Sequence, residues 1–371
     1  MEFRIPKETF YRALQKIQGI VEKRTTMPIL SNALIEAREE SIEVIATDLD
    51  VAMKSSYPAN VISSGKITVA AKKLCEILKE LPDEEVHFTT RDNDWVDIRC
   101  GKAQFNLVGL SPDEFPSPRI REDHLVTLES SLIGDMLEKT SYAICTDETK
   151  YNLNGIFVQA RTEGERNLIR MVATDGHRLS MVSRTIEGEV GPELAKGVIF
   201  PRKGIFELKK MTEEESGALM IGFMENSAVI KKGDTVVVMR LVDGEFPDYN
   251  RVIPQQNSRS IRINRDNFLH SLRRMQILSS DKFKGIKLDV TESGMEISSS
   301  NPELGESREE MEVLFEGDEL ALRFNARYLL DVLTVLDGNE VELLLRDELS
   351  PAIIRSDVDP QFLAVIMPMR V

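Results

Sequence analysis

KKLCEILKEL at residues 72–81 returns as KGIFELKKM at 203–211 and as RYLLDVLTVL at 327–336. The three stretches align as Leu74/Ile205/Leu329, Glu76/Glu207/Asp331 and Ile77/Leu208/Val332, at spacings of 131 and 124 residues. One helical unit is therefore used three times. A second helix keeps the same beat: Phe10 pairs with Leu14, Ile133 with Leu137 and Phe268 with Leu272, each four residues apart and so on one helical face. Ala46-Thr47-Asp48 returns as Ala173-Thr174-Asp175, with Ser299-Ser300-Asn301 at the equivalent place in the last unit. The units close alike, on Phe115-Pro116, Phe246-Pro247 and Met367-Pro368. Solenoid and propeller repeats run about 20 to 50 residues, so a period this long is a whole domain. The pattern predicts three tandem domains, 1–122, 123–250 and 251–371.

Between the helices the chain alternates as half-exposed strands do, for instance over 41–46, 66–69, 97–100, 234–239 and 287–290. Two helices against many strands gives an α+β fold, three copies of a two-helix, antiparallel-sheet domain. Such sheets have edges. Tandem units can pair edge to edge, and a head-to-tail contact between the free edges of the first and last units would close a ring.

The net charge of −15 argues against a nucleic-acid partner, yet its distribution is uneven. The six helical segments of the repeat, 7–21, 70–81, 130–142, 201–211, 265–278 and 325–336, together carry +7, which leaves −22 on the rest. Lys and Arg also decorate ordinary solvated helix faces, so charge alone does not decide. Three cysteines without CxxC spacing (Cys75, Cys100, Cys145) and no apolar leader predict buried reduced thiols in a cytoplasmic protein, and no stretch is apolar enough to span a membrane.

The common phosphate, dinucleotide, zinc and acyl-transfer signatures are absent, and the four histidines (His87, His124, His177, His270) lack metal-ligand spacing. The one dense polar cluster, Thr174-Asp175-Gly176-His177-Arg178-Leu179, reads either as an Asp/His pair for base catalysis or as a Gly-centred turn. Ala46-Thr47-Asp48 holds the same place without a histidine, which favours the turn. The apolar C-terminus, Val365 to Val371, reads either as a strap whose methionines floor an adaptable groove or as core filling of the last unit.

The chain resembles the bacterial sliding clamps, the beta subunits of DNA polymerase III. The resemblance spans its length, through Met27-Pro28-Ile29-Leu30-Ser31-Asn32, Ala46-Thr47-Asp48-Leu49, Tyr151-Asn152-Leu153-Asn154-Gly155, ATDGHRL (173–179), PRKG (201–204), LVDGEFPDY (241–249) and MPMRV (367–371). It implies the DNA clamp fold, a head-to-tail homodimeric ring around double-stranded DNA, and processivity without catalysis, cofactor or metal. The implied partners are a replicative DNA polymerase, an ATP-dependent clamp loader and other proteins with a clamp-binding motif. The implied peptide groove comprises Leu153, Thr174, Gly176, His177, Arg178, Leu179, Pro247, Arg251, Val252, Leu349, Pro351, Val365, Met367, Pro368, Met369 and Arg370. For DNA the resemblance points to Arg24 and Tyr151 on loops, and to Lys72, Lys73, Arg202, Lys203, Lys209, Lys210, Arg273 and Arg274 on helices. For the seam it points to Phe105 and Leu107 meeting Ile277 and Leu278, with Arg308 and Glu309 flanking.

Overall fold

The computed structural model describes all residues except 23–25, 119, 121–124, 188–190, 215–216, 225, 279–284 and 370–371. Its helices are α1 (Lys7–Ile17), α2 (Ala71–Glu80), α3 (Ser130–Ser141), α4 (Pro192–Lys196), α5 (Arg202–Glu213), α6 (Arg265–Gln276) and α7 (Ala326–Val335). Six of these are the repeated pair, and α4 is a single short turn with no counterpart in the repeat pattern. Phe10, Leu14, Ile133, Leu137, Phe268 and Leu272 are all fully buried, as are Leu74, Ile205 and Leu329, so the spacing identified the core-facing stripes. Asn264 and Asn325 cap α6 and α7, accepting from the amides of Asn267 and Arg327 at 3.0 Å each.

The chain forms two compact bodies, Met1–Ser130 with Phe206–Leu241 and Ser131–Ile205 with Val242–Val371. The middle repeat is divided between them. In the first body one antiparallel sheet of thirteen strands runs from Val126–Glu129 through Ala218–Met224, Ser227–Lys232 and Thr235–Arg240 into Val51–Pro58, and continues to Ala103–Leu110 and beyond. The join is a register of Val237 opposite Met53 and Met239 opposite Val51. α1 and α2 pack on each other and on this sheet. Phe3, Phe10 and Phe88 close the core beneath them, with Phe3 stacked on Phe88 at 4.8 Å and Phe10 edge-on to both.

The second body repeats the join. Arg178–Ile186 of the middle repeat pairs with Phe362–Ile366 of the last, Leu179 opposite Val365, inside a nine-stranded sheet. A four-stranded sheet, Gly305–Met311 at its edge, completes this body, and α6 and α7 pack on each other. Cys100 and Cys145 are buried thiols, but Cys75 is only half-buried: it follows the buried Leu74 and so turns off the packed stripe of α2.

Candidate functional site

The Thr174–Arg178 segment is a turn between two strands, and its polar atoms hold the backbone. Asp175 Oδ1 accepts from the amides of His177 and Arg178 at 2.9 and 3.0 Å. Thr174 Oγ1 accepts from Gly176 N and donates to the Arg178 carbonyl at 2.6 Å. Gly176 sits at φ 91°, in the left-handed region where glycine is at ease. The first body has the same turn: Asp48 Oδ1 accepts from Asp50 and Val51, and Thr47 Oγ1 accepts from Leu49. The Asp/His catalytic reading gives way here, because the Asp175 carboxylate is occupied by these amides and by Arg178 rather than by an imidazole.

Beside this turn in the second body lies a cavity of about 220 Å³. Ten of the sixteen groove residues line it: Leu153, Thr174, Gly176, His177, Arg178, Leu179, Pro247, Val252, Val365 and Met367. Its floor is an apolar cluster in which Val172, Leu179, Tyr249, Ile353 and Val365 are buried and Phe157 and Phe246 pack from the side, their rings stacked at 5.1 Å. Met367 and Met369 are exposed, which decides against core filling for both. Arg251, Leu349, Pro351, Pro368 and Met369 do not line the cavity. Arg251 faces solvent and pairs with Asp248 at 3.1 Å, and Leu349 sits on an exposed turn held by Asp347. Arg370 lies outside the described residues.

Two lining residues escaped the residue-by-residue reading, Asp248 and Tyr249. Asp248 caps the turn that follows by accepting from Asn250 N, and the buried Tyr249 receives a hydrogen bond from Arg161 at 3.1 Å. The signal was present in the sequence: both end the LVDGEFPDY stretch, and an aromatic beside an apolar groove is a ready floor.

Arg178 forms the wall toward the helices. Its Nε donates to Asp175 at 3.0 Å, Nη1 to Asp331 on α7 and Nη2 to the Tyr142 carbonyl just past α3, both at 2.5 Å. Its guanidinium lies 4.5 Å from the Tyr328 ring centroid. The Tyr142 hydroxyl, shielded from solvent although the residue is only half-buried, is pushed up its titration range by desolvation. Nearby, Lys139 of α3 donates to Asp135 at 2.7 Å, Asp337 at 2.6 Å and Asp359 at 2.9 Å, and Arg184 pairs with Asp135 and Asp359 at 2.6 Å. Only 3% of the Lys139 side chain is exposed, so its three carboxylates are what keep it charged.

The basic positions assigned to DNA are on or beside helices as expected, but several already hold acids. Lys73 pairs with Glu76 at 2.8 Å, Lys72 approaches the same carboxylate at 3.9 Å, Lys210 pairs with Glu207 at 2.7 Å and Arg274 with Glu309 at 2.9 Å. Arg202, Lys203 and Lys209 are half-buried and Arg273 is exposed. Tyr151 is exposed, and Arg24 lies outside the described residues. Of the seam positions, Phe105 and Ile277 are exposed large apolar side chains, and Leu107 and Leu278 are half-buried. Among the described residues no helix is long and apolar enough to cross a membrane.

Three models of one family match the chain in order: the DNA polymerase III beta subunit N-terminal domain over residues 1–119, its central domain over 127–248 and its C-terminal domain over 250–370. The chain belongs to the bacterial beta sliding clamps. It is 34% identical to the beta sliding clamps of Pseudomonas putida, over 375 residues, and Caulobacter vibrioides, over 377, each match covering both chains in full. Among solved clamps, that of Caulobacter crescentus matches with a TM-score of 0.94 at 34% identity, over all of this chain and 99% of the other. The Bartonella birtlesii clamp, solved bound to griselimycin, matches with a TM-score of 0.94 at 35% identity, over the whole of both chains. The expected α+β clamp fold of three repeats is the fold observed. Sliding clamps are non-catalytic processivity factors of DNA replication, with DNA and a DNA polymerase as partners.

Proposed function

We propose that two copies close head to tail into a ring that encircles duplex DNA without reading its sequence. We place the domain divisions at 122/123 and 250/251 and the site of action in the cytoplasm. The cavity beside Arg178 takes short apolar peptides from the replicative polymerase, the ATP-dependent clamp loader and other motif-bearing proteins.

One comparison carries the ring. Gly101 and Gly233 occupy matching turns, both at φ 54°, and begin equivalent strands. In Thr235–Arg240, which pairs with Val51–Pro58, the residues Val237 and Met239 are fully buried. Their counterparts 132 residues earlier, Phe105 and Leu107, lie on Ala103–Leu110, whose residues 103–108 pair, among the described residues, only on the side of Trp95–Cys100. The same apolar pattern is thus covered in the middle repeat and uncovered in the first. A second copy supplies the cover.

Encirclement answers a kinetic need. Non-specific affinity of about 10⁻⁵ M with an on-rate near 10⁸ M⁻¹s⁻¹ gives escape in about a millisecond, so contact strength alone cannot retain a protein on DNA. The basic residues that already hold Glu76 and Glu207 exchange one anion for another when they meet phosphate, which keeps each contact weak and compatible with sliding. Loading onto nicked circular DNA followed by linearisation tests the reading. Retention on closed circles and loss from linear molecules is expected; equal retention on both would overturn it.

A further inference from the structure

We infer that Arg274 of one copy and Asp83 of the next form an ion pair across each ring seam; the inference rests on the head-to-tail reading above. Lys16 on α1 meets Glu214, just past α5, at 2.6 Å. Lys139 on α3 meets Asp337, just past α7, at 2.6 Å. Both pairs span 198 residues, because they are one contact made twice. Each ties the first helix of a repeat to the loop that ends the second helix of the next repeat. Lys16 stands two residues after Leu14 and Lys139 two after Leu137; the residue two after Leu272 on α6 is Arg274. The third repeat carries the cation as well.

The matching acid belongs to the first repeat. α2 and α7 are both ten residues long, both start on alanine and both end on an extended leucine, Leu81 and Leu336. The loops beyond share their anchoring, with Lys7 N donating to the Glu84 carbonyl at 3.0 Å and Arg265 N to the Asn339 carbonyl at 2.8 Å. Pro82 stands where Asp337 stands, and the carboxylate follows one residue later as Asp83. Such a shift is tolerated elsewhere, since Glu214 follows a helix two residues longer than α2. Asp83 is exposed and has no ion pair among the described residues. Arg274 holds Glu309 of its own repeat through Nε and Nη2, as Lys139 holds Asp135, and its Nη1 has no partner among the described residues. A planar five-donor fork can serve both acids at once. Arg274 is thereby assigned to the seam in place of DNA.

Sedimentation equilibrium of the full chain measures the dimer dissociation constant for wild type, Arg274→Glu, Asp83→Lys and the double reversal, with thermal melts confirming that each is folded. Each single reversal should raise the constant about tenfold, since both seams of the ring lose an exposed pair, and the double should return to within about threefold of wild type. If either reversal fails to fold, the neutral Arg274→Gln and Asp83→Asn carry the same comparison with a rise of about threefold each. Unchanged constants in the single variants, or a double as weak as the two effects combined, overturns the pair. Leu107→Asp separates the two readings. A wild-type dimer that Leu107→Asp splits and Arg274→Glu leaves intact keeps the ring and rejects the pair, whereas a wild-type monomer at micromolar concentration rejects both.

Discussion

Arg178 at the mouth of one strand and Asp331 in the middle of α7 are joined through Nη1 and Oδ2 at 2.5 Å. The position equivalent to Arg178 in the first body is Val51, opposite Met239 as Arg178 is opposite Ile366. An arginine therefore appears at the join that has a cavity beside it. Asp331→Asn should weaken binding of an acetylated, amidated peptide of neutral residues containing leucine and phenylalanine by about tenfold, because the wall loses its far anchor. Arg178→Ala should cost about 2 to 3 kcal/mol of stability in the second body by stranding Asp331. Calorimetry and urea unfolding check the two effects.

Met367→Ala should separate binding from folding. The side chain lines the cavity and is exposed, so its loss should move stability by less than about 0.5 kcal/mol while reducing affinity for the same peptide about tenfold. Leu179→Ala, at the buried floor, should instead destabilise by about 2 to 5 kcal/mol. Equal effects of the two substitutions on melting would count against Met367 as a surface contact.

Gly197→Ala should be costly for two reasons. Gly197 holds φ 92°, and a Cβ there would stand 2.4 Å from the Phe157 ring carbon Cζ. Phe157 stacks on Phe246 beside the cavity, so the displaced ring would disturb the groove from behind. A loss of about 2 to 3 kcal/mol is expected, read by thermal unfolding, with a changed near-ultraviolet circular dichroism signal from the aromatic cluster.

The Lys139 network sets the pH response of the second body. Burial pushes the Asp359 carboxyl up, but hydrogen bonds from Arg184 and Lys139 outweigh it and hold the group below its ordinary 3.8. Its contribution is complete above pH 3.8 and is lost as pH falls through the lower folded value. Burial pushes Lys139 down, and hydrogen bonds from Asp135, Asp337 and Asp359 raise it above 10.5, so its contribution is complete below pH 10.5 and lost as pH rises through the folded value. Asp359→Asn should cost about 2 kcal/mol at neutral pH, and its melting curve should converge on that of wild type as pH falls below 3.8.

The helix faces were legible because burial repeats every three to four residues, and Phe10, Leu14 and their counterparts obey that spacing without exception. The turn at Thr174 was legible because a second copy of it existed at Thr47 to compare. Environment was not. Glu76, Glu207 and Asp331 align perfectly, yet Glu207 is 2% exposed while Glu76 faces solvent, since only the neighbour packed over each helix decides it. Lys139 stands in the sequence beside Asp135 alone among its partners, and the other two, Asp337 and Asp359, come from distant loops that no local pattern encodes. Tyr249 was missed for a similar reason: its ring reaches the cavity through a short turn whose direction depends on Asp248.

The divided middle repeat limits how this molecule can be taken apart. Were the chain cut at both linkers, the freed segment would carry Thr235–Arg240 and Arg178–Ile186, each stripped of the neighbour that now hydrogen-bonds along it. Two raw β-edges on one small fragment invite it to polymerise, so dissection into single repeats is a recipe for insoluble protein unless both edges are first blunted with charge or proline.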